Sequence, residues 1–389
     1  MSRRKSVAFL FFSDGKEWLG GKNYYRSLFS AIDADPESKI RVFAFIGRHA
    51  DPVGYEFPES VSFIQTRSLD KFSPLWFVDR ICKRFFGRTI FLQRALKGAG
   101  IEVVSHCDPG ETSELPTIAW IPDFQHVHLP HFFEVDQVEN RNAQFKVVLD
   151  RSNLVVVSSH AARDDLERFS PENADKARVL QFCALPLDQS DEDVEDVVKL
   201  YGLASRFFYL PNQFWVHKNH RLAVEALAHV RVRWPHAQIV CSGALSDYRN
   251  PSHIKELRAL IDELGLHDNF KLLGLITYNH VAKLMMRSIA VINPSFFEGW
   301  STTVEESKAM GAPLLLSDLT VHREQCTVGE ALFFAPNDSL ELANVMERVL
   351  GGDWPEKTNH HRVTEAMEMY RTRRLAFARN YYEIVSELI

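Results

Sequence analysis

Ten short apolar runs, alternating with stretches of helical spacing, constrain this chain more than any other feature. They are SVAFLFF (6–12), RVFAFIG (41–47), IEVVSHC (101–107), TIAWI (117–121), NLVVVSS (153–159), FFYLP (207–211), AQIVCSG (237–243), FKLLG (270–274), IAVINPS (289–295) and APLLLSD (312–318). Near-continuous apolar strands between helices belong to parallel sheets covered on both faces. The series restarts near residue 205, after the acidic stretch PLDQSDEDVEDVVKLYG. A chain of 389 residues also exceeds one ordinary core. The expectation is an α/β protein of two Rossmann-like, doubly wound domains, residues 1–188 and 207–365, joined by a linker at 189–206.

Composition removes several function classes. Charged residues are 25% and the net charge is −6, so the basic surplus of a nucleic-acid binder is missing. The five cysteines, Cys82, Cys107, Cys183, Cys241 and Cys326, are scattered and odd in number, which argues for a reducing cytosol over a disulfide framework. The start, MSRRKSVAFLFFSDGKE, has a basic end and an apolar run, as a signal peptide does. That run stops at Ser13-Asp14 with no small-residue cleavage site after it, so a buried first strand is the preferred reading. No apolar stretch is long enough to span a bilayer.

Ligands of doubly wound sheets sit beyond the carboxyl ends of the strands. Four loops there carry chemistry: SDGKEWLGGKN (13–23), PDFQHVHLPHF (122–132), PNQFWVHKNH (211–220) and PSFFEGWSTTVEE (294–306). Two come from each domain, as a site in a cleft between them would need. In the last, Glu298 stands on the loop and Glu306 in the first turns of a helix expected over roughly 303–310. The helix start presents free N–H groups that suit a phosphate, and Thr302 and Thr303 add hydroxyls. Carboxylates grip vicinal hydroxyls, so two of them can hold polyols at two points. The competing reading is helix capping, because Thr302-x-x-Glu305 and Thr303-x-x-Glu306 are both capping boxes in form.

Lys218 follows a strand end and can neutralise phosphate, with Asn212 and Gln213 as further donors; turn chemistry and a plain surface lysine are the alternatives. Gly20-Gly21, placed ahead of a helix YYRSLFSAI, allow close approach to backbone. Asp123, His126, His128 and His131 cluster in one loop. His126-x-His128 has metal-pair spacing on an extended chain but lacks a third ligand, so acid–base or hydrogen-bonding work by Asp123 and His126 is preferred and no metal is expected. Residues 76–100 mix Arg80, Lys83, Arg84, Arg88, Arg94 and Lys97 with Trp76, Phe77, Phe85, Phe86 and Phe91. That suits a membrane surface or an acidic lipid-linked acceptor; the preferred, plainer reading is a packed helix with a solvated basic face.

The second half, taken in order, resembles the family-four retaining glycosyltransferases of the GT-B fold. The matching stretches are PNQFWVHKN, IVCSGA, LGLHDNFKLLGLITYNHVAKLMMRSIAVINPSFFEGW, EESKAMGAPLLLSD and ALFFAPND. The first half resembles it through GGKNYYRSLFSAI, IPDFQH and VVVSSHAARDDL. The resemblance implies a nucleotide-sugar donor, with GDP- or UDP-sugars favoured. It implies sugar hydroxyls on Glu298, ribose on Glu306, and diphosphate at Trp300, Ser301, Thr302, Thr303 and Lys218. It places the base near Leu275, the diphosphate also near Gly21, and the reacting sugar near His126. It implies retention, no metal, a last helix (366–389) crossing back to the first domain, and hinge closure around donor. Three positions depart from the pattern. Gln213 replaces an arginine, Pro122-Asp123 replaces His-Asp, and Ser301 replaces glycine. Arg26 and Arg163 are the candidates to restore the lost charge.

The resulting expectation is a glycosyltransferase that moves a hexose to a glycan or lipid-linked acceptor in cell-surface polysaccharide synthesis. It would be cytoplasmic, with peripheral contact at the inner membrane face through 76–100. The alternatives are a GT-B nucleotide binder without catalysis, a GT-B sugar-nucleotide epimerase, and, last, a metal-dependent hydrolase on the histidine cluster.

Overall fold

A computed structural model describes residues 4–12, 19–108, 114–186, 192–247, 249–327, 329–353 and 359–389. The start of the Gly-Gly loop (13–18) and part of the acidic connection (187–191) lie outside these. The chain divides into two compact units. One comprises 1–124, 136–184 and 371–389; the other comprises 125–135 and 185–370.

The first unit holds seven strands: β1 (Lys5–Leu10), β2 (Ile40–Gly47), β3 (Ser62–Thr66), β4 (Val103–Ser105), β5 (Thr117–Trp120), β6 (Leu154–Val157) and β7 (Ala177–Val179). They pair in the order β3-β2-β1-β4-β5-β6-β7, all parallel. The second holds β8 (Phe208–Leu210), β9 (Ile239–Cys241), β10 (Phe270–Leu272), β11 (Ala290–Asn293), β12 (Leu314–Ser317) and β13 (Ala331–Phe334). Their order is β10-β9-β8-β11-β12-β13, again all parallel. In both sheets the strand order reverses once, between β1 and β4 and between β8 and β11. Such switch points are where doubly wound sheets open a crevice.

Side-chain alternation explains why these strands read as unbroken apolar runs. Phe208 and Leu210 pack into one apolar cluster with Ile239, Cys241 and Ile292. Tyr209 packs into another with Val240, Val291 and Leu314. Both faces are therefore covered, and every position along the strand must be apolar. All ten expected strands are present; β2 extends one residue beyond its apolar run and the other nine are shorter than theirs. Three more, β3, β7 and β13, were not expected. All three are edge strands; the apolar signal of β3 and β7 is diluted by half-buried polar residues, whereas β13 is apolar throughout as ALFF and was legible in principle.

Gly20 and Gly21 lie inside the first turn of helix Leu19–Ala34, where a loop ahead of the helix was expected. The last helix is Asn359–Ser386, and residues 371–389 belong to the first unit. There Arg374 donates to Ser30 and Arg178 makes a two-oxygen pair with Glu387.

Candidate functional site

The loop after β8 and the loop after β11 leave adjacent strands at the switch point, and backbone bonds zip them together. Phe296 N–H donates to His217 O at 2.9 Å. Asn219, in the left-handed region with φ 55°, donates its amide to Pro294 O and Pro336 O. Asparagine tolerates that conformation better than most residues. This register carries Lys218, at the end of the 3₁₀ turn Val216–Lys218, onto Glu298: Nζ and Oε1 are 2.7 Å apart, and the side chains are 14% and 9% exposed.

Around this pair runs a chain of polar side chains. Ser295 Oγ lies 2.7 Å from both Glu298 Oε1 and Asn293 Oδ1. Asn293 Nδ2 donates to Ser301 Oγ at 2.8 Å. Asn212 Nδ2 donates to Asn293 Oδ1, and Thr303 Oγ1 donates to Asn212 Oδ1 at 2.9 Å. Gln325, from helix Thr320–Gln325, accepts from Ser301 N–H and donates to Ser301 O and Glu305 Oε1. Asn212, Asn293, Ser295, Ser301 and Gln325 are all buried. Such a network is costly unless satisfied, and satisfied it fixes one geometry.

The capping question is settled against both glutamates. Helix Thr302–Met310 is capped by Ser301, whose Oγ accepts from Val304 N–H, and it ends at Gly311 in the left-handed conformation. Neither Thr302 nor Thr303 is the cap, because the helix begins one residue earlier than the expected 303. The Ser301 hydroxyl stands where a glycine would have left that cap empty.

The two carboxylates differ in state. Burial pushes Glu298 up, but Lys218 and His322, with the hydrogen bonds from Lys218 and Ser295, outweigh it and hold its pKa at about 2. Burial pushes Glu306 up to about 8, only partly offset by a hydrogen bond from Tyr278. Near neutrality one is an anion and the other carries a proton. His322 is fully buried, and that burial is the chief cause that lowers its pKa, with Glu298 pulling the other way. Its Nδ1 donates to Ser317 O at 2.8 Å, and its Nε2 has no partner among the described residues.

Other expected residues fall as follows. Gln213 accepts from Ala244 N–H, a structural task. Trp300 and Thr302 are half-buried beside the helix start. Leu275 is exposed after β10. Gly21 is buried and Asp123 half-buried, both in the first unit. His126 is fully buried and belongs to the second. The segment 125–135 is tied there by His128 stacked on Phe297 at 5.0 Å and by Arg249, which donates to Gln125 Oε1 and lies over Phe133. Among the described residues, no three His, Cys, Asp or Glu side chains converge as a metal would require. Arg26 and Arg163 pair with Glu56 and Asp164.

Arg249 was missed by sequence reasoning. It is pinned by Asp247, approaches His217 Nδ1 at 3.3 Å and lies over Trp215. Lone charges in a loop give no sequence signal. Asn293, at the end of the AVIN strand, was legible in principle from its position. Gln325 and His322 were not, since they reach the site only through helix packing.

The family profile described as Glycosyl transferases group 1 matches residues 203–369. The O-antigen chain mannosyltransferase RfbU of Salmonella typhimurium is 21% identical over 207 residues, which are 52% of this chain and 53% of that protein. The chain thus spans about half the length of this curated relative. Among solved structures, sucrose-phosphate synthase from Thermosynechococcus elongatus superposes with a TM-score of 0.70 at 16% identity, over 99% of this chain and 100% of the other. Anabaena Alr3699/HepE in complex with UDP and glucose gives the same TM-score, identity and coverage. WaaG, a glycosyltransferase involved in lipopolysaccharide biosynthesis, gives 0.58 at 13% identity, over 96% and 95%. At these identities the likeness shows the fold, and the GT-B expectation of two Rossmann-like units is met.

Proposed function

We propose that this protein, whose residues 203–369 match the profile of the group 1 glycosyl transferases, transfers a hexose from a GDP- or UDP-sugar to a glycan or lipid-linked acceptor, with retention and without a metal. The observation that carries the reading is the Lys218–Glu298 pair at 2.7 Å beside the start of helix Thr302–Met310. The pair stands at the switch point of the sheet, where its cation would suit a diphosphate and its carboxylate sugar hydroxyls. Glu306, farther along the same helix, would hold the ribose. Trp300, Ser301, Thr302 and Thr303 would face the diphosphate, where the helix start favours negative charge. Asn212 orients Thr303 and Asn293, while Gln213 orients the neighbouring loop.

Arg249, next to His217 in the same unit, would supply the second positive charge absent from position 213. His126 and Asp123 would act near the reacting sugar, with Gly21 beside the diphosphate and Leu275 beside the base. A role in cell-surface polysaccharide synthesis is supported by relatives described as an O-antigen chain mannosyltransferase and a lipopolysaccharide glycosyltransferase.

Calorimetry with UDP, GDP, ADP and dTDP on wild type and Glu306→Gln tests the reading. One nucleotide bound well and weakened in the variant is the expected result. Binding of none, or equal binding by both proteins, would remove it. A second reading, nucleotide binding without transfer, is favoured by Gln213 being spent on Ala244. It predicts tight binding with no sugar released or transferred from any donor.

A further inference from the structure

Helix Pro74–Phe86 was expected to turn a basic face to solvent, yet much of its outward face is apolar. Its buried side is carried by Asp79 and Cys82. Asp79 fixes the helix by accepting from Ile90, Phe91 and Leu92 N–H groups, which start the next helix, Phe91–Gly98. With that side anchored, helical spacing puts Phe77, Val78, Ile81 and Phe85 on one outward stripe. They are 48%, 41%, 54% and 72% exposed. Phe72 before the helix and Phe86 at its end are also exposed. Single exposed apolar residues need no explanation, but a contiguous set of large ones on one face does.

The charges around the stripe say what covers it. Arg80 and Arg84 are exposed on its flank, and Lys71 and Arg88 stand near its two ends. Lys71 lies over Phe72, and Arg80 over Trp76, which in turn packs edge-on against Phe77. Asp79 is buried and spent on backbone N–H groups, while Asp108 pairs with Lys83 and Glu114 with Arg88, so the charge on the stripe's own flank is that of Arg80 and Arg84. This basic collar sits in a chain whose net charge is −6. Aromatic residues with arginines on an exposed short helix fit an interface where apolar tails meet anionic headgroups. Thirteen residues of helix rise about 20 Å, too short to cross a bilayer, and no described helix is long and apolar enough to do so. We propose that this face docks in the plane of an anionic lipid bilayer, with Phe77, Ile81 and Phe85 entering the acyl boundary and Arg80 and Arg84 at the headgroups.

Flotation of the full chain with phosphatidylcholine vesicles, with and without phosphatidylglycerol, tests this. The expected result is binding at least about tenfold stronger to the anionic vesicles and weakened by salt. Replacing Phe77, Ile81 and Phe85 together by Ser should abolish it. Arg80→Gln with Arg84→Gln alters only exposed side chains and should weaken it about fivefold or more. An unchanged circular dichroism spectrum and melting profile show that the variants fold. No binding by wild type, or equal binding by wild type and the arginine variant, would overturn the proposal. So would self-association of the wild type that the serine variant loses without any vesicle binding, which would make a second copy the cover. None of these outcomes depends on nucleotide binding, so the docking face and the donor site stand or fall separately.

Discussion

Lys218 and Glu298 neutralise one another at 2.7 Å. A diphosphate arriving at Lys218 must therefore compete with a buried carboxylate that is ionised down to a pH of about 2. Glu298→Gln removes the competitor and keeps the shape. Free nucleoside diphosphate should bind roughly 3- to 10-fold more tightly, a gain of up to about 1.4 kcal/mol. Transfer of sugar should fall about 100-fold or more, because the hydroxyl acceptor is lost. Calorimetry beside a transfer assay reads both, and looser diphosphate binding in the variant would contradict the competition.

Breaking the same pair from the other side should be costly. Lys218→Met leaves a buried carboxylate without its cation, at about 3 kcal/mol of stability near neutrality. Glu298 titrates near 2 in the folded chain against a usual 4.5, so its contribution is present above pH 4.5 and lost as pH falls toward 2. The stability gap between wild type and Lys218→Met, read from urea denaturation of each protein, should accordingly close over that window. A gap independent of pH would show that the lysine acts through packing alone.

Glu306 gives the opposite pH signature. Its pKa is raised to about 8, chiefly by burial, so it is protonated at pH 6 and must ionise to accept from two ribose hydroxyls. Nucleotide affinity should rise from pH 6 to 8, by up to about tenfold per unit, and level off above. In Glu306→Gln the profile should be flat. By linkage, the raised pKa also makes the ligand-free protein less stable as pH climbs from 4.5 through 8, which thermal melting of the two proteins can follow.

Gly243 tests the polar chain without touching a charge. Its φ is 145°, and a β-carbon there would lie 2.4 Å from Asn212 O. Gly243→Ala must push Asn212 away from Asn293 and Thr303. The expected cost is about 2 kcal/mol of stability, with nucleotide affinity falling about fivefold or more as Thr303 loses its partner. Native-like affinity in this variant would show that the chain does not position the site.

The central strands of both sheets were legible because burial on two faces demands apolar residues at every position, as in IVC at Ile239–Cys241. The pairing of Glu298 with the helix ahead of Glu306 was legible too, since both lie on one strand–turn–helix segment. The edge strands β3 and β7 were not, because half-buried polar residues dilute the pattern. The amphipathic character of Pro74–Phe86 was visible in its spacing, but which side faced outward was fixed only by Asp79 gripping three N–H groups eleven to thirteen residues away. Local periodicity thus determined the elements, the sheets and the loops that carry the site. The partners of the site's polar groups came from loops and helices remote in sequence: Glu298 on Lys218, Arg249 on His217 and Gln125, and Gln325 under Ser301. Those contacts, and the Lys218 charge that holds Glu298 low while burial alone raises Glu306, exist only once the elements pack, because desolvation and ion pairing depend on what surrounds a group in space.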